Sequence, residues 1–324
     1  MTNKPITVTV NDHTYAIGGN SQGEHFKDPN LIAAYLDDDT CEACNTHNML
    51  KLTRELWLLN PSDSSYFDYY ERALINHLIG AQNPSDEHGH ITYFTSLNPG
   101  GYRGVGPAWG GGTWSTDYDS FWCCQGTALE TNTKLMDSIY FHDNTTLFVN
   151  LYTPSQLSWT EKDVTITQDT SIPEADTATF TIEGSGEFDI SFRIPSWTSE
   201  ATILINNSTA NVDVGTGSYA TVSKAWEAGD VITIKLPMSL RTIPADDDPS
   251  LAAVAFGPAV LAGKYGDQTL NESPELDLAS VKRVGTEGLE FEGSSGGETV
   301  SLGAFFDAHG FNYNVYWKTS GELR

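Results

Sequence analysis

The spacing of apolar positions changes once along the chain, near residue 145. Before that point Met49, Leu52, Leu56 and Leu59 recur at steps of three and four residues, which predicts an amphipathic helix stopped by Pro61. Asp63 opens a second helix whose face is Tyr66, Tyr70, Ala73, His77 and Leu78. It ends near Gly80, ahead of the turn-rich Asn83-Pro84-Ser85-Asp86. A third helix is predicted from about Gln125 to Tyr140. Beyond the boundary, apolar and polar residues alternate in Thr177–Ile182, Phe188–Ile194, Ala201–Ile205, Tyr219–Val222 and Val231–Leu236, with Gly, Pro and Asn between them. Short strands at regular spacing predict an antiparallel β-sandwich. After Pro244 come the apolar stretch Leu251–Leu261, acidic loops, and Phe311–Trp317, which alternates as one more strand. The expected fold is α + β and multidomain: helices over 1–145, a sandwich over 146–245, and a C-terminal β segment over 246–324 packed on one or the other.

Between the second and third helices, Pro99-Gly100-Gly101-Tyr102 through Trp109-Gly110-Gly111-Gly112 is too glycine-rich for regular structure. It matches no dinucleotide or phosphate-loop pattern, which removes nucleotide binding. The loop reads either as the rim of a site, with Tyr102, Trp109 and Trp114 facing sugar, or as a surface connection.

Composition narrows the partners. The chain has 324 residues, enough for about two domains with their own cores. With 17 Lys and Arg against 43 Asp and Glu, its net charge is −26, a field that repels phosphate backbones and anionic headgroups, so neither nucleic acid nor a membrane surface is an expected partner. No apolar run approaches the roughly 20 residues that span a bilayer. The segment Met1–Pro5 lacks the basic-then-apolar pattern of an export signal. The triplets at Asn144, Asn206, Asn207 and Asn271 fit glycosylation acceptors, but they arise readily by chance in a Ser/Thr-rich chain and leave the compartment open.

All four cysteines fall in the helical part: Cys41, Cys44, Cys123 and Cys124. Adjacent cysteines rarely bond to each other, because the ring they close strains the disulfide. Their spacing leaves two readings: structural disulfides or inert thiols, and a zinc site built from a Cys-x-x-Cys and a distant pair. Glu24 lies in a glycine-flanked loop and Glu42 between the first two cysteines; taken alone, each carboxylate reads as a solvated surface acid before a catalyst, and His25 and His47 as ordinary side chains before ligands.

Taken together, Gly18-Gly-Asn-Ser-Gln-Gly-Glu24-His-Phe, Cys41-Glu42-Ala-Cys44-Asn-Thr-His, Tyr69-Tyr-Glu-Arg-Ala, Thr92-Tyr-Phe-Thr, and Phe121-Trp-Cys123-Cys124-Gln-Gly-Thr resemble the β-L-arabinofuranosidases of glycoside hydrolase families 127 and 146. Ala255-Phe-Gly-Pro-Ala-Val-Leu and Tyr313-Asn-Val-Tyr-Trp resemble their C-terminal regions. The resemblance implies a partial (α/α) helical toroid ahead of the sandwich, and a retaining glycosidase. Its substrate would be a glycan or glycopeptide bearing β-linked L-arabinofuranose. It implies Cys123 as nucleophile and Glu24 as general acid/base, with Zn2+ held by Glu42, Cys44, Cys123 and Cys124. Glu24 should be buried, so that it is protonated at rest. Cys41 is an extra thiol that could displace Glu42 from the metal. Family members are longer, so the chain is expected to correspond to their C-terminal half, with activity impaired by the missing pocket wall. A non-catalytic carbohydrate-binding or zinc-stabilised fragment is the alternative.

Overall fold

The computed structural model describes residues 4–107, 112–285 and 288–323. Two compact units are present. The first comprises residues 1–53, 69–132 and 240–324, the second residues 54–68 and 133–239. The architecture is α + β and dominated by sheets.

Four α-helices occur among the described residues: α1 (Lys4–His13), α2 (Ala43–Leu59), α3 (Ser65–Ala73) and α4 (Cys123–Thr133). Helix α1 has no counterpart in the sequence pattern. Helix α2 begins six residues before the periodic apolar stretch and stops where Pro61 requires. After α3 the chain continues helically through a π turn at Leu74–Leu78 and a 3-10 turn at Ile79–Ala81, so the predicted second helix is one run with a widened middle. That widening places Asn76 to donate to the carbonyls of Arg72 and Pro258 and to accept from the amide of Val260. Helix α4 is shorter than predicted. Residues 134–139 form turns, and Tyr140 is drawn into a strand, Tyr140–His142, that pairs antiparallel with Thr146–Val149.

The second unit holds the sandwich. One sheet orders Tyr140–His142, Thr146–Val149, Gly186–Ile194 and Ser218–Trp226; the other has six strands between Ser155 and Lys235. Both sheets feed a single core. Leu147, Val149, Phe188, Ile190 and Phe192 come from the first, and Trp159, Ile166, Phe180, Ile182, Ile232 and Ile234 from the second. The expected antiparallel pairing holds except between Thr146–Val149 and Gly186–Ile194, which run parallel.

From Leu240 onward the chain is more than an added strand. Asp248–Phe256, Tyr316–Ser320, Glu275–Arg283, Phe291–Ser295, Glu298–Ala304 and Ala259–Lys264 pair in that order, and the last pairs back to the first, closing a six-stranded barrel. Its core includes Val254, Leu261, Leu276, Phe291, Leu302 and Trp317. A second buried cluster joins Ala253, Ala255, Val260 and Tyr316 of the barrel strands to Tyr15, Ala16, Ile17, Ile32 and Cys41. The barrel therefore backs the irregular segment that carries Glu24 and the first cysteines. The tyrosine hydroxyl of Tyr316 accepts from the amide of Ala16 (2.7 Å), and Asp247 accepts from the amides of Ile32 and Ala33 at 2.9 and 2.7 Å.

Candidate active site

Three thiols lie in the first turns of two helices. Cys44 is the second residue of α2, while Cys123 and Cys124 open α4. Unpaired amides and the positive end of the helix dipole at both places favour negative charge. Helix α4 starts sharply because the Gln125 side chain turns back to accept from the amide of Trp122 (2.8 Å). The two helices are held together by His47, whose Nδ1 lies 2.8 Å from the hydroxyl of Thr131 and whose Nε2 lies 3.3 Å from Glu130. Lys51 adds a bond of 3.1 Å to the same carboxylate.

The result is a convergent donor set. The ligand atoms of Glu42, Cys44, Cys123 and Cys124 all lie within 4.8 Å of one another. Cys44 Sγ is 3.4 Å from Cys124 Sγ, and the sulfurs of Cys123 and Cys124 are each 3.8 Å from Glu42 Oε1. All four cysteines are free, which removes the disulfide reading. Burial pushes the Glu42 carboxyl up to about 8. Burial also raises the Cys123 thiol, and hydrogen bonding to Cys44 raises that of Cys124. Cys44 is lowered to about 6, chiefly by the hydrogen bond from Cys124 and secondarily by that from Thr127 Oγ1 (3.0 Å). Charge therefore gathers on one sulfur while three other acids stay protonated. A bound divalent cation is the counter-charge that lets such a group ionise as a whole, and the sulfur-rich donor set fits one.

Glu24 reaches this group by way of a strained turn. Gln22 and His25 exchange both backbone hydrogen bonds (3.0 and 3.2 Å), leaving Gly23 and Glu24 as the two central residues, both at positive φ (53° and 67°). That is the backbone of a tight hairpin turn, which glycine adopts freely and glutamate at a cost of about 1–2 kcal/mol. The amide of Gly23 donates to the Asp39 carbonyl (3.1 Å), and Gln22 donates to the Asp39 carboxylate (2.5 Å). From the turn, the carboxylate of Glu24 accepts from the hydroxyl of Tyr93 at 2.5 Å. The same hydroxyl lies 3.3 Å from Cys123 Sγ. Tyr93 is itself placed by backbone pairing, its carbonyl accepting from Ala43 and its amide donating to Val105. Glu24 is exposed, so the burial expected for it is not supplied by the described residues.

Residues 6–137 match the family model of the GH127 β-L-arabinofuranosidase catalytic domain, and residues 146–238 match that of the GH127 middle domain. The chain belongs to the GH127 family. No curated protein sequence matches it. Among solved structures, a glycoside hydrolase superposes with a TM-score of 0.78 at 17 % identity, covering 98 % of this chain and 61 % of that one. A GH127 β-L-arabinofuranosidase from Geobacillus stearothermophilus T6 gives 0.76 at 20 % identity, covering 96 % of this chain and 55 % of the other. The GH127 β-arabinofuranosidase BT3674 gives 0.78 at 20 % identity, with 96 % and 54 % coverage. This chain thus spans little more than half the length of these structures.

Cys41 is not a member of the donor set. It is fully buried at φ 56°, and its sulfur packs so closely on Gly19 that an added Cβ there would sit 2.5 Å away. The reversed backbone at Cys41 sends its side chain into the barrel-backed core, while the next residue, Glu42, joins the thiols. His25 stands exposed beside Glu24, and His47 acts as the brace between α2 and α4. Of the loop aromatics, Tyr102 and Trp114 line a cavity of about 350 Å³ with Arg103, Asp267 and His309, which includes none of the thiols; Trp109 lies outside the described residues. Tyr93 was not singled out by sequence, although it stands in the quoted Thr92-Tyr-Phe-Thr motif.

Proposed function

We propose that this chain is a retaining glycoside hydrolase acting on β-linked L-arabinofuranose in a glycan or glycopeptide, with Cys123 as nucleophile and Glu24 as general acid/base. The observation that carries the reading is the shared hydroxyl of Tyr93. Its bonds of 2.5 and 3.3 Å place Glu24 Oε1 no farther than about 6 Å from Cys123 Sγ, short of the roughly 6.5–9.5 Å of inverting pairs. The GH127 models, and neighbours named as arabinofuranosidases, support the sugar. In this reading residues 1–145 are part of a helical toroid, 146–245 the sandwich, and 246–324 the C-terminal β segment.

Glu42, Cys44, Cys123 and Cys124 would hold Zn2+, whose charge keeps thiols ionised at neutral pH. The Cys123 thiolate attacks the anomeric carbon while the protonated Glu24 gives its proton to the departing oxygen. A thioether to the sugar forms and the glycosidic bond breaks. Glu24, now a carboxylate, takes a proton from water as that water displaces the sulfur, which returns as thiolate. Tyr93 has one proton for two acceptors. When Glu24 is protonated, the tyrosine donates to the thiolate; once Cys123 carries the sugar, it donates to the Glu24 carboxylate.

The test is hydrolysis of an aryl β-L-arabinofuranoside by the full chain and its Cys123→Ser variant, with the anomer of the first-formed product followed by NMR. The β anomer is expected, with at least about a thousandfold loss in the variant and a sugar adduct on Cys123 in quenched wild-type protein. Unchanged turnover in the variant, or release of the α anomer, refutes the mechanism.

A further inference from the structure

Away from the thiols, two loops of the first unit are locked together and bring three side chains that can hold a metal to one point. The amide of Ile91 donates to the Ser115 hydroxyl (2.9 Å) and the amide of Ser115 donates to the Ile91 carbonyl (3.0 Å). This registers the Asp86–His90 turn beside Asp117. Gly89, at φ 67°, lets the turn close. Glycine adopts that left-handed backbone without strain, where any side chain would carry a cost. His88 Nδ1 is 2.5 Å from Asp117 Oδ1, and His90 Nε2 is 3.0 Å from the same oxygen. The other nitrogen of His90, Nδ1, bonds to Asp86 Oδ2, and Asp86 is fixed in turn by the amide of His88 (2.8 Å).

The geometry points to a second zinc site, with His88 Nδ1, His90 Nε2 and Asp117 Oδ1 as ligands and Asp86 as the carboxylate that orients His90. Their ligand atoms fall within 4.8 Å of one another, and ligands around one tetrahedral zinc stand about 3.4 Å apart given bonds of roughly 2.0–2.1 Å. A neutral imidazole has a single N–H, yet His90 faces a carboxylate oxygen with each nitrogen. With Nδ1–H on Asp86, the lone pair of Nε2 is left pointing at the oxygen of Asp117. A cation held between the two would take both as ligands. The carboxylate–histidine–metal relay it completes is the usual outer support of a histidine ligand. Two imidazoles and one carboxylate suit a borderline divalent ion, with water filling the remaining position. The ion would tie the 82–91 loop to the segment leading into Trp122 and Cys123. This inference does not depend on the thiol group being catalytic.

Zinc per chain, counted after equilibration with excess ion and removal of free metal, tests it on the full chain. In a Cys44→Ser/Cys124→Ser background, where the thiol group is disabled, one zinc is expected to remain. Adding His88→Ala and His90→Ala should remove it. In the otherwise native chain the two histidine substitutions should lower the count by one, with the thiol-bound zinc and the turnover retained. Cobalt(II) gives an independent reading. In the serine background it should show ligand-field bands without sulfur-to-metal charge transfer, and these bands should vanish with the histidines. A zinc count unchanged by His88→Ala/His90→Ala, or a serine background that binds no zinc while its circular dichroism remains native, overturns the second site. Neither result touches the assignment of Cys123.

Discussion

Tyr93 turns two separated residues into a pair. Its hydroxyl bonds both Glu24 and Cys123, and burial, followed by those two bonds, raises its pKa far above that of an ordinary phenol. It therefore stays protonated throughout and acts as a donor. Tyr93→Phe removes that donor while keeping the ring that packs on Phe94 and Trp122. Turnover should fall about 10–100-fold with KM little changed, because the lost bond serves the reacting groups rather than substrate binding. In metal-stripped protein, alkylation of Cys123 by iodoacetamide should slow several-fold, since Tyr93 is the group that lowers this thiol against its burial. Unaltered kcat and alkylation would show that the tyrosine is only packing. The sequence made Glu24, Glu42, Cys44, Cys123 and Cys124 legible through motif resemblance. It could not expose Tyr93, because an aromatic beside the β-bridge residue Phe94 looks like core until the two partners are seen on its hydroxyl.

At the level of elements, period-two alternation marked the strands of the sandwich to within two residues at most ends, since each has one face in the shared core. Helix ends were less legible. The first turn of α2, Ala43-Cys44-Asn45-Thr46, has no apolar stripe because it faces the donor set, so the periodicity starts later than the helix. The end of α4 was displaced by a strand pairing that local spacing cannot report. Closure of the barrel depends on the pairing of Asp248–Phe256 with both Ala259–Lys264 and Tyr316–Ser320, the latter a contact of long sequence separation. Within the sandwich, Asp230 braces the turn before Val231–Lys235. It accepts from Lys224 Nζ, from the Glu227 amide (2.9 Å) and from Asn206 Nδ2 (2.8 Å). The Lys224 bond leads in holding its carboxyl at about 2, below the ordinary 3.8. A depressed acid stabilises the fold above its unfolded value and loses that contribution as pH falls toward its folded value, here from about 4 to about 2. Lys224 is one-third exposed, which discounts the contribution to about 1–2 kcal/mol. Hydrogen exchange at Val231–Lys235 should therefore accelerate over this window in the wild type. In Asp230→Asn it should already be fast at pH 5 and respond less to acid. Equal acid dependence in the two proteins would remove Asp230 from the account.

Across the whole molecule, the two units bury separate cores, and the thiol group lies entirely within the first. A ligand that binds only the folded state stabilises the unit that holds it by mass action, about 2.7 kcal/mol when free ligand exceeds its Kd a hundredfold. For a unit of roughly 200 residues this corresponds to about 5–10 °C in melting temperature. Chelation of the zinc-loaded chain should therefore lower one calorimetric transition by that amount and leave the transition of the sandwich in place. Turnover on an aryl arabinofuranoside should be lost with it, because the thiols of Cys123 and Cys124 revert toward protonation once the counter-charge is removed. Added zinc should restore both. The same titration on Cys44→Ser/Cys124→Ser should show no further loss of turnover on chelation, and whatever melting shift remains there reports the histidine site alone. Full turnover in protein shown to be metal-free, or a chelator shift confined to the sandwich transition, would contradict the placement of the ion at Glu42, Cys44, Cys123 and Cys124.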